Sequence, residues 1–513
     1  MIFASKASSL RTLALAVIAI VVIRGIVAAL TPISFDEAYY WLWSKHLAAG
    51  YYDHPPMVAF VIRAGSALFG DTSIGVRAVA WLLSVVATWA VWRTGAVLLG
   101  SEHGAALAAL FFNLMPMIGV ESLVATPDSP EIAASAFVLL ALAKISETGR
   151  GSWWIAVGVA AGFALLSKYT AFFLGAGILV WLAIVPKERR WFLSIWPYLG
   201  AAIALLMFLP VVLWNAGHDW ISFALQFGRT GAGGGFTLRY LGEFLAAQLA
   251  LATPFIAILG VAGILAAFRG GERMRGPLML PVSMILPAAV YFLWHSLHDR
   301  VQGNWPSFLY PAFAIVAAAA CLKIAAGEGG RAMRISRILA SPVAAVMIVA
   351  IYAQALFGFV PIVREPVSRL IAVGMGRVVG DIETLRAQNH AAGILTTSYT
   401  LTGWFSFYIP AHPPVVQINE RYRYLDQPAP SPSLFQGTLL YITELRNDQA
   451  SLLTTRFAHV TPLAHIARYR SGATIDEYAV YAVSGPMGDP LDAISPRVAG
   501  PRRHPPSPAA PRP

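Results

Sequence analysis

The chain has 513 residues, of which 57% are apolar and only 12% are charged. Soluble domains carry about 25% charged residues, so this composition excludes an ordinary soluble enzyme. A formal net charge of +11 would favour a nucleic-acid partner in a soluble protein. Here, however, Lys and Arg cluster in short loops between apolar runs, a pattern that signals membrane topology, and we predict no nucleic-acid partner.

The apolar runs predict an all-α polytopic membrane protein. A helix needs about 20 residues to cross roughly 30 Å of hydrocarbon, and such runs recur through the first 360 positions. The first run resembles a signal peptide, but we favour an uncleaved helix because the loop after it is rich in unusual polar residues. About eleven transmembrane helices are predicted, at 12–30, 76–95, 104–120, 131–146, 153–167, 171–186, 192–213, 240–268, 277–296, 306–326 and 338–361.

The loops between these runs alternate in character. One set is short and basic, and the positive-inside rule assigns it to the cytoplasm: 144–150, 187–190, 269–275 and 331–337. The other set contains acids, His, Trp and Asn, and is assigned to the opposite side: 31–75, 121–130, 214–239 and 297–305. We therefore predict a multi-pass protein of a bacterial inner membrane whose functional residues face the periplasm.

The composition changes after the last apolar run. We predict a transmembrane catalytic domain over 1–362, whose first outer loop is 31–75, and a small extracytoplasmic α/β domain over 363–485. Three short β-prone runs occur in the second domain, at 415–418, 438–442 and 478–483. The Pro-rich tail over 486–513 is predicted to be disordered. The only cysteine, Cys321, excludes a disulfide within one chain.

The first outer loop concentrates polar function beside the membrane. It reads SFDEAYYWLWSKHLAAGYYDHPPM over 34–57, with Asp36 and Glu37 a few residues after the first span. The run 37–47 predicts a helix in the membrane interface, with Tyr40, Trp43 and Leu47 on one face at headgroup depth. An aromatic belt with solvated acids is the simpler interpretation. An adjacent acidic pair followed by Asp-His-Pro-Pro favours a functional site instead.

Three motifs carry a resemblance to a known family: DEAYYW at 36–41, DHPP about 17 residues after its start, and TPDSP at 126–130. Together with the many spans and the outer C-terminal domain, they resemble the GT-C superfamily of membrane glycosyltransferases. The branch that is most similar contains protein O-mannosyltransferases, the lipid A aminoarabinose transferase and the lipopolysaccharide core galacturonosyltransferases. The resemblance covers roughly 1–360 and is weak in the C-terminal domain.

The resemblance implies inverting transfer of a sugar from a polyprenyl-phosphate donor to an acceptor outside the cytoplasm. Such a displacement needs a base for the acceptor proton and positive charge for the departing phosphate. By its motif position Asp36 is the predicted base, and Glu37 would orient it or stabilise the oxocarbenium-like transition state. Tyr39 and Tyr40 of the same motif are predicted to contact substrate.

Donor binding is predicted from several outer segments. A lysine touches the donor phosphate in the aminoarabinose branch at the position of His54, so His54 is the candidate here, with Lys168 and Arg300 as further phosphate ligands. Asp53 matches a carboxylate that binds metal in that branch. With His295 it leaves open a divalent metal ion, and the sequence establishes no other cofactor.

Other candidates have simpler explanations beside the functional one. Asp128 would assist the donor site or merely cap a helix, and Lys168 would bind phosphate or merely extend to the membrane surface. In HDRVQGNWP, over 298–306, Asn304 and Trp305 suit a sugar's hydroxyl edge and apolar face. NERYRY, over 419–424, would guide an anionic acceptor or form an exposed turn, and GAGGGF, over 231–236, reads as a flexible lid or plain loop.

The acceptor stays open at this stage. Lipid A, the lipopolysaccharide core or another glycan fits the base chemistry, and so does a protein serine, which would make the chain a protein O-glycosyltransferase. A polytopic lipid or sugar transporter is the alternative from another class. Transporters place ionisable groups near the membrane midplane in repeated halves, whereas these groups collect at the ends of predicted spans.

Overall fold

The computed structural model describes residues 2–228, 235–269 and 272–493. Residues 231–234 of the predicted glycine-rich lid and 494–513 of the predicted disordered tail lie outside the described residues. The first 357 positions form sixteen helices within these ranges: α1 Ile2–Leu30, α2 Phe35–Lys45, α3 Met57–Phe69, α4 Ser73–Leu99, α5 Glu102–Leu114, α6 Pro116–Glu121, α7 Asp128–Thr148, α8 Trp153–Ser167, α9 Phe172–Ile184, α10 Ile195–Ala216, α11 Ile221–Gly228, α12 Arg239–Ala252, α13 Pro254–Arg269, α14 Glu272–His295, α15 Tyr310–Ala325 and α16 Arg331–Phe357.

The prediction of a polytopic helical protein is confirmed. Among the described residues, seven helices are long and apolar enough to cross a membrane, or nine if each of two sharply bent helix pairs is one span. The predicted number of eleven is not confirmed, because some apolar runs are broken. The run 240–268 bends by 102° between α12 and α13, where Pro254 has no N–H to continue the helix and Thr253 has a φ of +65°.

Helix α7 lies at the centre of the bundle. In its most apolar stretch 83% of the residues are buried inside the protein, against 22% for α1. It packs against α4 and α8, and its residues contribute to a large apolar core that includes Phe111, Phe112 and Trp181. The N-terminus of α7 is therefore held firmly, and with it Asp128.

The opening loop is more ordered than an interfacial segment. Ser34 begins α2 with a capping box: its hydroxyl accepts from the Glu37 amide, and the Glu37 carboxylate accepts from the Ser34 amide. The predicted helix is present, at 35–45 rather than 37–47. Of the three residues predicted for its interfacial face, Tyr40 and Trp43 are buried within protein because the C-terminal region covers the helix, and Leu47 lies beyond the end of the helix and is exposed.

The C-terminal region contains the predicted small sheet. Its strands are β1 Ile394–Thr396, β2 Val415–Gln417, β3 Leu439–Glu444, β4 Phe457–Arg470 and β5 Ala473–Pro486, and its helices are α17 Pro366–Leu370, α18 Met375–Gln388, α19 Tyr399–Tyr408 and α20 Ala450–Leu453. The strand order is β2-β1-β3-β5-β4. The first three strands in this order are parallel, and β4 and β5 are antiparallel to their neighbours. The three predicted β-prone runs overlap β2, β3 and β5.

Helix α19 joins this region to the opening loop. It packs directly on α2, and Gly403 permits the close approach, since a Cβ there would lie 2.9 Å from the Tyr39 amide nitrogen. A single bridge between Ser34 and Ile371 adds a backbone contact. The C-terminal region is thereby seated over the first turn of α2.

Candidate active site

Asp36 lies in the first turn of α2 beneath the C-terminal region. The hydroxyl of Tyr399 donates to its Oδ1 over 3.3 Å. Burial, with a smaller contribution from the charges of Asp53 and Glu37, raises the pKa of Asp36 to about 7, although the Tyr399 hydrogen bond and Arg423 act to lower it. A carboxylate whose pKa lies near neutrality suits proton abstraction at physiological pH.

Glu37 has a different environment from its neighbour. Its carboxylate forms a fully buried ion pair with Arg77, with 2.6 Å between Nε and Oε1, and it also accepts from Arg77 Nη2 and from the amides of Ser34 and Ala125. A carboxylate has about four acceptor sites, so these bonds fill them. Burial opposes its charge, but the Arg77 guanidinium and the Ser34 and Ala125 amides together outweigh burial and lower the pKa of Glu37. This geometry favours the orienting role over contact with substrate.

Asp53 contacts Arg423 of the C-terminal region. The guanidinium Nη1 lies 2.9 and 2.7 Å from the two carboxylate oxygens, and the Tyr39 hydroxyl donates to Oδ2 over 2.9 Å. The Arg423 guanidinium also lies over the ring of Tyr399, 5.0 Å from its centroid. Asp53, Arg423 and Tyr399 thus form one wall beside Asp36.

A second polar centre forms around Asp128. Lys168 is buried, and its Nζ lies 2.8 Å from Asp128 Oδ1. The Asn304 side chain donates to Oδ2 over 3.0 Å, and the Ser307 hydroxyl donates to Oδ1. Helix α7 has no side-chain cap, so the capping explanation of Asp128 is wrong. The surface explanation of Lys168 is also wrong, because its side chain is buried against a carboxylate.

Glu121 connects the two polar centres. It is buried at the end of α6, and the Thr126 hydroxyl donates to its Oε2 over 2.8 Å. Burial is the largest cause that raises the pKa of Glu121 to about 8; the charges of Asp128 and Asp36 act in the same direction, and the Thr126 hydrogen bond and Lys168 oppose them. The Glu37 carboxylate accepts from the Ala125 amide, so the segment that leads to Asp128 lies against the turn that carries Asp36, and the two centres form one polar region.

Other predicted residues lie at the edge of this region or away from it. Tyr40 is buried, with its ring 4.9 Å from that of Trp43 and 6.2 Å from the imidazole of His54. The guanidinium of Arg300 is 63% exposed and pairs with Glu243 at 3.0 Å. The structure thus places His54 beside Tyr40 within the opening loop, and leaves Arg300 at the surface.

The candidate metal ligands do not fit a metal site. Asp53 is engaged by Arg423, and His295 is buried between the rings of Tyr291 and Trp305. Nowhere in the described ranges do three His, Cys, Asp or Glu side chains group as a metal site would require. A carboxylate and an imidazole held apart in this way supply no ligand set.

Two contributors were not predicted as site residues, Tyr399 and Arg423. Arg423 belongs to the NERYRY motif, whose composition was a usable signal, but its contact with Asp53 spans 370 positions. Tyr399 lies 363 positions from Asp36 and carries no local motif. Their roles depend on how the C-terminal region docks, which no short pattern records.

The fold and this site together define a polytopic helical membrane protein, and the resemblance predicted from the opening loop is confirmed by similarity to members of the branch named above. The crystal structure of ArnT from Cupriavidus metallidurans bound to undecaprenyl phosphate superimposes with a TM-score of 0.63 at 17% identity, covering 91% of this chain and 97% of that one. Residues 53–214 match the family described as dolichyl-phosphate-mannose-protein mannosyltransferase.

Curated relatives in Rhizobium johnstonii are also similar. The lipid A galacturonosyltransferase RgtD is 28% identical over 289 residues, which is 56% of this chain and 60% of the relative. The lipopolysaccharide core galacturonosyltransferase RgtB is 27% identical over 401 residues, covering 74% of this chain and 77% of the relative. The chain therefore matches about three fifths of the length of RgtD and about three quarters of the length of RgtB.

Proposed function

We propose that the protein is an inverting glycosyltransferase that moves a sugar from a polyprenyl-phosphate donor to lipid A or the lipopolysaccharide core. The observation that carries this proposal is a carboxylate with a pKa near 7, Asp36, in one polar region with a buried lysine, Lys168. The activities of RgtD, a lipid A galacturonosyltransferase, and RgtB, a lipopolysaccharide core galacturonosyltransferase, support the acceptor class. The undecaprenyl phosphate bound to ArnT supports the donor class.

Asp36 acts as the base in this proposal. An acceptor hydroxyl oxygen attacks the anomeric carbon of the donor sugar from the face opposite the phosphate, and its proton passes to Asp36 Oδ. The bond between the anomeric carbon and the phosphate oxygen breaks, and polyprenyl phosphate leaves with the electron pair. Tyr399 holds the carboxylate in place through its hydrogen bond. Glu37 is a positioning residue in this proposal, because its ion pair with Arg77 fixes the helical turn that carries Asp36.

Lys168 stabilises the leaving phosphate. An ammonium group has three donors, and one of them contacts Asp128 in this structure, so the phosphate would complete the set. The Asp128 carboxylate and the Asn304 amide fix the lysine and its surroundings. His54 and Arg300 are secondary phosphate ligands, and Tyr39, Tyr40 and Trp305 shape the sugar pocket.

The polar region is proposed to face the periplasm, with the basic loops in the cytoplasm. Asp128 begins α7 and the basic loop at 144–150 surrounds its end, so a helix of 21 residues, about 32 Å long, separates them. A second basic loop meets the first one there, since Lys187 donates to the Ser146 carbonyl. The positive-inside rule then supports a bacterial inner membrane protein whose site and C-terminal region are outside.

The proposal is tested with the purified full-length chain in lipid nanodiscs. Polyprenyl phosphate carrying a radiolabelled sugar is supplied with lipid A, with lipopolysaccharide core or with a serine-containing peptide. Labelled glycolipid is the expected product, and labelled peptide would instead identify a protein O-glycosyltransferase. In sealed vesicles, movement of label across the membrane without transfer would overturn the enzyme and support a transporter.

Mass spectrometry of envelope lipids complements this assay. Lipids from cells with and without the gene are expected to differ by the mass of one sugar, which identifies donor sugar and acceptor together. An unchanged lipid profile, combined with no transfer in nanodiscs, would overturn the proposed function.

A further inference from the structure

A polar cavity of about 620 Å³ lies in the C-terminal region. Its walls come from the last residues of β3 and the segments that directly follow β1, β2 and β3, together with Asp492 after β5, so it opens at the carboxyl ends of the three parallel strands. Strand β1 lies between β2 and β3. The chain therefore passes from β1 to β2 on one side and then crosses to β3 on the other side, which makes the carboxyl end of β1 a topological switch point. Ligands of open α/β sheets bind in the crevice at such a switch point, and the volume is within the usual range of ligand pockets.

The lining chemistry suits a sugar ring. The amides of Asn419, Asn447 and Gln449 face the cavity together with several hydroxyl groups, and amides both donate to and accept from sugar hydroxyls. The rings of Tyr399 and Tyr422 also line it. An aromatic face with a polar rim matches the apolar face and hydroxyl edge of a pyranose.

The net charge of the lining argues against a bare phosphate. The described residues that line the cavity include no Lys or Arg, which phosphate recognition ordinarily uses. The four carboxylates among them are not a free acidic cluster either. Arginines outside the lining neutralise three of them, Glu420 with Arg423 at 2.7 Å, Glu444 with Arg446 at 2.6 Å and Asp492 with Arg456 at 2.6 Å, and the fourth, Asp448, accepts from the Tyr481 hydroxyl. The chemistry therefore favours a neutral ligand rich in hydroxyl groups.

The cavity adjoins the proposed base. Tyr399 lines it and also donates to Asp36 over 3.3 Å. Tyr422 lines it and packs on Tyr52 of the opening loop, with ring centroids 4.5 Å apart. A ligand in the cavity is thus separated from Asp36 by one side chain, which places a neighbouring sugar within reach of the base.

We propose that this cavity binds a neutral sugar of the acceptor glycan and so positions the acceptor hydroxyl at Asp36. The inference rests on the proposed function and extends it, because it assigns the recognised part of the acceptor to uncharged sugar rather than phosphate. Asn447 and Gln449 supply hydrogen bonds, and Tyr422 supplies a stacking surface. The donor is bound elsewhere, at the Asp128–Lys168 centre.

The test separates acceptor binding from donor binding. In nanodiscs, Asn447→Ala, Gln449→Ala and Tyr422→Leu are each expected to raise the acceptor KM about five- to tenfold, as the loss of one hydrogen bond or one ring contact implies. The donor KM and kcat should stay unchanged. The control is Gln388→Ala, an exposed amide on α18 outside the cavity, which should behave as the wild type.

A binding titration makes the result independent of turnover. Deacylated, dephosphorylated core oligosaccharide should bind the full-length wild type and bind Asn447→Ala about tenfold more weakly, whereas inorganic phosphate should not compete. Normal transfer with unchanged acceptor KM in all three cavity variants would overturn this inference and leave the proposed function intact. Competition by phosphate, or equal oligosaccharide binding by wild type and variants, would overturn it as well. Absence of transfer by the wild type would count against the proposed function, and the titration would still decide the cavity.

Discussion

Replacement of Asp36 by asparagine tests the site most directly. Asparagine has nearly the same shape and still offers an oxygen to the Tyr399 hydroxyl, but it cannot take a proton. General base catalysis contributes typically 10²- to 10⁴-fold, so transfer should fall by roughly that factor. The fold should remain intact, because the single hydrogen bond at 3.3 Å can be kept.

The effect on stability has the opposite sign. The pKa of Asp36 is raised from 3.8 to about 7, and three units at about 1.36 kcal/mol each make the ionised carboxylate unfavourable in the folded state by about 4 kcal/mol. Because this pKa is raised, the contribution of Asp36 to folding stability is fully present below pH 3.8 and is lost as the pH rises through about 7. Above pH 7 the Asp36→Asn variant should therefore be the more stable protein, by at most ~4 kcal/mol since the side chain is partly accessible.

Two measurements on the same nanodisc sample check this reasoning. Transfer of radiolabelled sugar gives the activity, and tryptophan fluorescence during heating gives the unfolding temperature at pH 5 and pH 8. Asp381→Asn, an exposed aspartate on α18, is the matched control and should change neither quantity. Wild-type turnover by Asp36→Asn would refute the base assignment. Lost activity with a lower unfolding temperature at pH 8 would refute the argument from burial.

Three further predictions concern the same region. The rate of sugar transfer should rise about tenfold per pH unit up to pH about 7 and then level off, because Asp36 must be ionised to act as the base. A rate that falls over this interval would contradict the assignment. Glu37→Gln should destabilise the fold by about 3 to 5 kcal/mol in thermal unfolding, since it leaves Arg77 buried without a counter-charge. The double variant Glu37→Gln with Arg77→Met should recover part of the lost stability. In a donor titration, Lys168→Met should weaken donor binding by about 2 to 5 kcal/mol. Arg300→Ala should weaken it by less than about 1 kcal/mol, because Arg300 is exposed. Equal effects of the two substitutions would show that burial does not distinguish these residues.

Composition and short motifs predict a large part of this structure. Apolar runs identify the membrane helices, and β-prone runs locate strands of the small sheet, because both depend on local patterns. Proline positions account for one broken span, since α13 begins at Pro254 after a bend of 102°. Asp128, Lys168 and Asn304 were each predicted separately from outer segments, and the structure brings the three into contact.

The parts that could not be predicted depend on tertiary packing. The sequence treats Asp36 and Glu37 as equivalent neighbours, but a helix turns by about 100° per residue. Glu37 therefore points towards Arg77 and the Ala125 amide, while Asp36 points towards Tyr399. The surface position of Arg300 is likewise set by its pairing with Glu243, 57 positions away in sequence.

The contrast between Asp36 and Glu37 explains how two adjacent acids acquire different chemistry. Arg77 lowers the pKa of Glu37, and burial raises that of Asp36, so near pH 7 one carboxylate stays charged and the other exchanges its proton. Environments that separate the pKa values of paired acids ordinarily distinguish the structural member from the reactive one. Tyr399 at the start of α19 donates to Asp36 and lowers its pKa against the effect of burial, so the pKa of the base depends on the docking of the C-terminal region on α2. Docking and proton transfer are therefore coupled through one side chain, and an acceptor bound in the adjoining cavity would meet a base whose properties depend on the same contact.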